Sequence, residues 1–201
     1  LQPIDKGSIS YFDATTGETV NLRNKTPEEI RDLGVRLSFV PEDRLGMGLV
    51  GNMDIVDNMM LRSYRKGKSA FLDRKSPSEL ADNIIDNLQV ATPSSHTPVR
   101  RLSGGNVQKV LVGREIETSP NVIITAYPVR GLDINSSYAI YNILNDQKAK
   151  GVGILFIGED LDVMLALCDK IMVLCHGKNM GIVHADKTTK EELGLMMTGS
   201  L

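Results

Sequence analysis

Three short apolar runs in the last third of the chain constrain its fold more than any other feature. They cover residues 121–125, 153–157 and 170–175, and two segments of helical character, 136–150 and 160–168, separate them. Unbroken apolar runs of this length are typical of strands buried inside a parallel sheet. Strands that alternate with helices at this spacing predict an α/β fold with right-handed crossovers.

The rest of the chain predicts a small β-segment and further helices. The expected strands are residues 8–12, 18–22 and 35–40, with a late hairpin partner at 180–184. Two expected helices begin at Thr26-Pro27 and at Ser76-Pro77. Three more are expected over residues 54–65, about 106–117, and 189–197. Glycines and prolines predict loops over 42–51 and 91–101.

Composition excludes several classes of protein. With 201 residues, 41% of them hydrophobic, the chain can form one domain with a real core. No apolar run reaches the roughly 18–20 residues that a membrane-spanning helix needs, and a net charge of −2 gives no basic surface for nucleic acid. Cys168 and Cys175 lack the spacing of a zinc site, and so few cysteines fit a reducing compartment. Because the chain starts at Leu1 and has no signal sequence, we expect a cytoplasmic fragment or processed piece.

The run Leu102-Ser103-Gly104-Gly105-Asn106-Val107-Gln108-Lys109 is the strongest functional motif. A serine before two glycines and a helix is an N-cap arrangement, in which the glycines leave backbone amides uncovered. The partial positive charge of the helix N-terminus then favours phosphate binding without a charged side chain. A capped helix explains the Ser-Gly-Gly tripeptide alone, but the full run and the Gly131-Leu132-Asp133 turn after the next strand favour the functional interpretation.

These motifs resemble those of one family, the ABC-type ATPases. The chain resembles the C-terminal nucleotide-binding half of the tandem ATP-binding subunits that energise sugar and nucleoside importers, over essentially all 201 residues. The resemblance implies an ABC-type P-loop NTPase nucleotide-binding domain, with a RecA-like core, a helical lobe and a truncated antiparallel β-segment.

The resemblance assigns a role to each motif. Residues 102–108 are the signature motif, and Glu42 takes the place of the usual Q-loop glutamine. Ala126-Tyr127-Pro128 stands where Asp-Glu-Pro is expected after the Walker B strand, a departure similar to the nucleoside-importer branch. Asp133 lies in the D-loop, and Glu159 replaces the switch histidine.

The resemblance also divides the chain into parts of one domain fragment, 1–201. Residues 1–35 are the remnant of the β-segment, and 36–53 are a strand with the Q-loop. Residues 54–117 are the helical lobe with the signature motif. Residues 118–201 are the α/β core with a degenerate Walker B motif, the D-loop and the switch loop.

Three departures remove chemistry from this half's own Walker site. Ala126 has no oxygen to hold the water shell of Mg²⁺. Tyr127 carries a neutral hydroxyl at pH 7 and is a poor base for the attacking water. Glu159 would bring a negative charge towards a negative γ-phosphate. We therefore expect no catalytic residue in cis and no useful rate of hydrolysis by this half.

The phosphate-binding loop itself is absent from the sequence. No Gly-x-x-x-x-Gly-Lys-[Ser/Thr] motif occurs, and the nearest string, Gly67-Lys68-Ser69, has Arg62 where the first glycine should stand. The family places this loop just upstream of a stretch like residues 1–10. We expect the isolated chain to bind ATP and Mg²⁺ weakly or not at all.

The intact motifs imply a role across an interface. In this family two halves sandwich two nucleotides head to tail, and each site takes its signature motif from the opposite half. The expected nucleotide-binding residues are Ser103, Gly104, Gly105, Asn106, Glu42 and Asp133, although Asp133 can equally serve as the N-cap of the helix at 136–150. The implied partners are a P-loop-bearing half and transmembrane permease subunits, which place the chain on the inner face of the cell membrane.

Two alternatives from other classes remain open. One is a soluble ABC ATPase that acts on DNA or ribosomes, against which the mild acidity argues. The other is a catalytically dead regulatory or interaction domain, in which even the signature motif is without function.

Overall fold

The computed structural model describes residues 5–13, 16–63 and 73–200. The strands are β1 (Ser10–Phe12), β2 (Thr19–Asn21), β3 (Leu37–Val40), β4 (Val122–Ala126), β5 (Gly153–Ile157), β6 (Lys170–Cys175) and β7 (Lys178–His184). The α-helices are α1 (Pro27–Asp32), α2 (Ile55–Met60), α3 (Lys75–Asn87), α4 (Gly104–Ile116), α5 (Ile134–Ala149), α6 (Leu161–Leu167) and α7 (Lys190–Thr198).

A parallel sheet in the order β3-β4-β5 lies at the centre of the fold. α5 connects β4 to β5, and α6 connects β5 to β6, as expected for an α/β fold. Antiparallel pairs form at both ends of the chain, β1 with β2 and β6 with β7. The predicted α/β class is therefore confirmed.

Side chains cap most of the helices and explain where they begin. In each case an oxygen of the N-cap side chain accepts a hydrogen bond from a backbone amide of the first turn, which otherwise has no partner inside the helix. These caps are Thr26, Asp54, Ser103, Asp133, Asp160 and Thr189.

α4 is the most buried helix and organises the main core. It packs against β3, α3 and α5, and most of its residues are buried, among them the polar residues Gln108, Arg114 and Glu115. The fully buried residues of this core include Val40, Ile55, Met59, Leu111, Ile123 and Ile140. A second, smaller cluster joins β6 to α7 through Ile171, Val173, Leu193 and Met196.

One predicted loop contains a helical turn, and one predicted helix is present with a slightly different start. The segment predicted as a loop over 42–51 contains a π-helical turn, Arg44–Gly48, whose N-cap Asp43 accepts a hydrogen bond from the amide of Gly46 at 2.8 Å. α3 begins at Lys75 rather than at Ser76-Pro77, because Asp73 accepts hydrogen bonds from the amides of Lys75 and Ser76.

The predicted helix 54–65 is also shorter than expected. α2 ends at Met60, and residues 61–63 form a turn. Residues 64–72, which include Gly67-Lys68-Ser69, lie outside the described part of the chain. Within the described ranges, no helix combines the length and apolarity needed to cross a bilayer.

Candidate functional site

Ser103 is the N-cap of α4 and shapes the start of the predicted signature motif. Its Oγ accepts hydrogen bonds from the amide of Asn106 at 3.4 Å and from Nδ2 of the same residue at 2.9 Å. Oδ1 of Asn106 in turn accepts from the amide of Ala91 at 2.9 Å. The Asn106 side chain therefore ties the preceding loop to the cap, while Ser103 and Gly104 remain exposed to solvent.

Gly105 allows the first turn of α4 to approach the first turn of α5. A Cβ at this position would lie 2.3 Å from Oγ and 2.9 Å from Cβ of Ser136, and 3.8 Å from Oδ2 of Asp133. Any other residue would collide with the neighbouring helix. The structure thus brings the predicted residues Ser103, Gly104 and Gly105 together with Asp133.

This close approach gives a stability prediction. Gly105→Ala is expected to lower the free energy of unfolding by about 1–3 kcal/mol, because overpacking forces the two helix starts apart. Gly104→Ala is the matched control, since its Cβ would make only ordinary contacts, 3.6 Å to Leu132 and 3.8 Å to Arg44. Urea unfolding of both variants measures the difference, and equal midpoints would contradict the close approach.

Asp133 is the N-cap of α5. Its Oδ1 accepts from the amide of Ser136 at 2.9 Å, and its Oδ2 accepts from the Ser136 hydroxyl at 2.6 Å. These bonds, the hydroxyl first, hold the pKa of Asp133 below its ordinary value. The carboxylate is exposed and stays charged beside the first turn of α4.

Two arginines that the sequence analysis did not single out connect the predicted site residues. Arg130 forms an ion pair with Glu42, and its guanidinium lies 5.8 Å from the centre of the Tyr127 ring. Nη2 of Arg44 donates to the carbonyl of Arg130, and its Nε donates to Oε1 of Gln108 at 2.7 Å. Glu42, the residues that follow β4, and α4 are therefore joined by one network.

Arg44 also supplies positive charge beside the start of α4. Its Nη1 lies 3.8 Å from the position of a Cβ on Gly104. Burial lowers the pKa of Arg44, and the charge of Glu42 acts in the opposite direction. A guanidinium at this place suits an anionic ligand, because its fork of donors matches phosphate oxygens.

Ala126, Tyr127 and Glu159 lie at the carboxyl ends of β4 and β5. Ala126 pairs with Ile157, and the amide of Tyr127 donates to the carbonyl of the same residue at 2.9 Å. Tyr127 has a φ of +48°, an uncommon conformation for a residue other than glycine. Tyr127 and Glu159 line a cavity of about 510 Å³. Ligands of open α/β sheets bind at this end of the strands.

A buried carboxylate joins the helical lobe to the glycine-bearing turn. Glu115 is fully buried in α4 and forms ion pairs with Arg62 and Arg114. Nη2 of Arg114 also donates to the carbonyl of Gly48 at 2.7 Å. Burial lowers the pKa of Arg114, and the charge and hydrogen bonds of Glu115 oppose that effect.

Comparison with known proteins places this geometry in context, although no protein-family model matches the chain. The guanosine import ATP-binding protein NupO of Bacillus subtilis is 36% identical over 203 aligned positions, and the alignment covers all of this chain and 38% of the relative. The xylose import ATP-binding protein XylG of Moorella thermoacetica is 35% identical over 183 residues, or 91% of this chain and 36% of the relative. The chain thus spans little more than a third of these relatives.

Solved structures agree on the fold. A nucleotide-free ATP-binding cassette from an ABC transporter superposes with a TM-score of 0.71 at 22% identity. The superposition covers 98% of this chain and 75% of the cassette's chain. The dimeric bacterial cassette MJ0796 gives a TM-score of 0.73 at 16% identity, over 92% of this chain and 75% of the cassette's chain. This chain has the fold of an ABC ATPase cassette, and its homologues are import ATP-binding proteins for sugars and nucleosides.

Proposed function

We propose that this chain is a nucleotide-binding domain of an ABC importer for sugars or nucleosides, and that it completes an ATP site on a P-loop-bearing partner half. The proposal rests on a difference between two regions of the chain, the start of α4 and the carboxyl ends of β4 and β5. The signature region has an exposed, capped helix start beside a guanidinium. The strand ends carry Ala126, Tyr127 and Glu159, and the sequence contains no phosphate-loop motif.

The start of α4 can bind a phosphate presented by a partner. The amides of Gly104 and Gly105 belong to the first turn of α4, which has unsatisfied donors and a partial positive charge. The Ser103 hydroxyl and the Arg44 guanidinium add donors at the same place. Oδ2 of Asp133 lies 3.8 Å from the position that a Cβ on Gly105 would take. From the start of α5, this carboxylate would face the partner's ATP site.

The strand ends of this chain are poorly suited to hydrolysis. Ala126 offers no ligand to the water shell of Mg²⁺, and the ring of Tyr127 lies near the Arg130 guanidinium. Glu159 repels phosphate in the absence of a cation. ATP and Mg²⁺ are therefore held mainly by the partner half, and this chain alone binds them weakly.

ATP would couple the two halves to transport through closure. A nucleotide that contacts Ser103 and Gly104 only in the closed pair shifts the population towards that pair, because its affinity for the two states differs. Permease subunits at the inner face of the membrane would respond to this closure. We further propose that the four sequence parts, 1–35, 36–53, 54–117 and 118–201, act as one domain fragment resembling the C-terminal half of such a subunit.

ATP hydrolysis by the assembled transporter tests the proposal. Ser103→Ala is expected to lower turnover about tenfold, because it removes a hydrogen bond to a charged phosphate. Ser103→Thr keeps the hydroxyl and should retain most of the activity, and Tyr127→Ala should change little. If Tyr127→Ala is the more damaging variant, or if no variant has an effect, the proposed division of labour is wrong.

A further inference from the structure

Asn106 lies in the first turn of α4, and both ends of its side-chain amide are engaged. Its Oδ1 accepts from the amide of Ala91 at 2.9 Å, and its Nδ2 donates to Oγ of Ser103 at 2.9 Å. A backbone amide can only donate a hydrogen bond, so the end of the side chain that faces Ala91 must be the oxygen. The nitrogen end is then turned towards Ser103, and the loop that precedes α4 fixes the orientation of the Asn106 amide.

The backbone that carries Ala91 is held in place from two sides. It follows α3, and the amide of Val90 donates to the carbonyl of Ile85 at 2.9 Å. The side chain of Val90 is 5% exposed and belongs to the main core. From α4, Nζ of Lys109 donates to the carbonyl of Gln89 at 3.1 Å. Ala91 therefore presents its amide to α4 from a fixed position, since the residues before it are tied to both helices.

These bonds determine what the Ser103 hydroxyl can do. A hydroxyl group has one hydrogen to donate and two lone pairs that accept. The two bonds that Asn106 donates to Oγ of Ser103, from its backbone amide at 3.4 Å and from Nδ2 at 2.9 Å, use the lone pairs. In the described part of the chain no group accepts from this hydroxyl, and Ser103 is exposed. The hydroxyl hydrogen is therefore left for an acceptor in solvent or on a ligand.

We propose that Asn106 is a positioning residue, which turns the hydroxyl hydrogen of Ser103 outward so that Ser103 meets a phosphate as a donor. Ionised phosphate oxygens only accept hydrogen bonds, so a lone pair of Ser103 aimed at them would repel them. A hydroxyl that is oriented in advance avoids part of the cost of ordering it on binding. The sequence predicts Asn106 among the nucleotide-binding residues, whereas in this proposal it acts through Ser103. The inference rests on the proposed function, because it takes Ser103 to contact ATP held by the partner half.

A double-mutant cycle in the assembled transporter tests whether Asn106 acts through Ser103. Asn106→Leu keeps the approximate size of the side chain, adds no charge and removes the donor. It is expected to lower ATP turnover about fivefold, within the range of one hydrogen bond. In a Ser103→Ala background the same change should lower turnover less than about twofold, because no hydroxyl is left to orient. In a Ser103→Thr background, which keeps a hydroxyl, the larger loss should return.

Three outcomes of this cycle would contradict the proposal, and they differ in what else they reject. A loss that persists in full with Ser103→Ala would mean that Asn106 contacts the nucleotide itself or that its substitution damages the fold. Unchanged turnover by Asn106→Leu, where Ser103→Ala is damaging, would mean that Ser103 needs no orienting. If Ser103→Ala itself has no effect, the proposed function fails, and with it the phosphate contact on which this inference rests.

Amide hydrogen exchange tests the geometry in the chain by itself, without nucleotide. Asn106→Leu removes the acceptor of the Ala91 amide, whose exchange should then become at least about fivefold faster. Asn106→Asp is the matched control, because a carboxylate oxygen can still accept from that amide and should keep its exchange slow. Val90 is an internal reference, since its amide donates to Ile85 whichever residue stands at position 106. Equal acceleration at Val90 and Ala91, or none at Ala91, would overturn the proposal.

Asn106→Asp also separates the bond to Ser103 from the bond to Ala91. The carboxylate keeps an acceptor for Ala91 but offers no hydrogen to Ser103, whose hydroxyl then donates inward to it. Turnover of the assembled transporter is expected to fall at least about tenfold, because a lone pair of Ser103 and a new negative charge both face the phosphate. Full turnover by this variant would show that the donor to Ser103 is dispensable and that the proposal is wrong.

Discussion

Gly104→Asp is expected to lower ATP turnover by the assembled transporter about 100-fold or more, the scale of losing a transition-state donor. The substitution places a carboxylate at the exposed start of α4, where the proposed function requires the partner's γ-phosphate. The two negative charges repel each other strongly in a site from which closure excludes water. The same carboxylate would also compete for the Arg44 guanidinium, 3.8 Å from the position of the new Cβ.

Two control variants test whether the loss of turnover requires a negative charge at position 104. One adds a side chain without charge at that position, and the other adds the same charge elsewhere on the surface. Gly104→Ala adds a Cβ with ordinary contacts and should retain most of the turnover. Gly194→Asp adds the same carboxylate on α7, where a Cβ has no neighbour within 4 Å, and should be silent. Turnover and ATP-driven association of the two halves are the measurements. Normal turnover by Gly104→Asp would favour a signature motif without function.

Glu115→Ala is expected to lower the free energy of unfolding by about 3–5 kcal/mol. Removing the carboxylate leaves the guanidinium of Arg114 buried without its charged partner, although the carbonyl of Gly48 still accepts from it. It also frees Arg62, which lies in the turn after α2 and pairs with Glu115 of α4. The expected loss of stability combines the cost of an uncompensated buried charge with the cost of a cavity in the main core.

Urea unfolding of the purified chain measures this effect. Glu117→Ala is the matched control, because this glutamate is exposed at the C-cap of the same helix and its loss should change stability by no more than about 0.5 kcal/mol. A shift for Glu115→Ala no larger than that of Glu117→Ala would mean that the buried ion pairs contribute nothing.

The elements best predicted from sequence are those with the simplest local signals. β5 and β6 match the predicted ranges 153–157 and 170–175, since short apolar runs bounded by polar turns are a strong local signal for strands. The pairing of the two strands differs, because β5 lies in the parallel sheet while β6 pairs antiparallel with β7. The start of α3 was missed because Asp73, outside the periodic pattern, caps its amides. The π-helical turn after Asp43 has no periodic signal at all.

The candidate site was predictable only where a motif lies in one stretch of sequence. The run from Leu102 to Gln108 and the Asp133 turn could be read directly, and the structure brings them together at Gly105. The contacts of Arg130 with Glu42 cross 88 positions of sequence, so no local pattern indicates them. Likewise, nothing in the sequence around Glu115 shows that it is fully buried between two arginines.

One face of the central sheet leaves Leu37, Phe39 and Leu155 40 to 53% exposed, and such an uncovered apolar face would tie the abundance of this protein to its assembly. Chaperones and proteases act on subunits that expose apolar surface, so copies without a covering layer are removed faster than complete ones. A partner that covers Leu37, Phe39 and Leu155 stabilises the folded form by mass action. The ratio of subunits in the cell would then be set by degradation of the excess, without any control of synthesis.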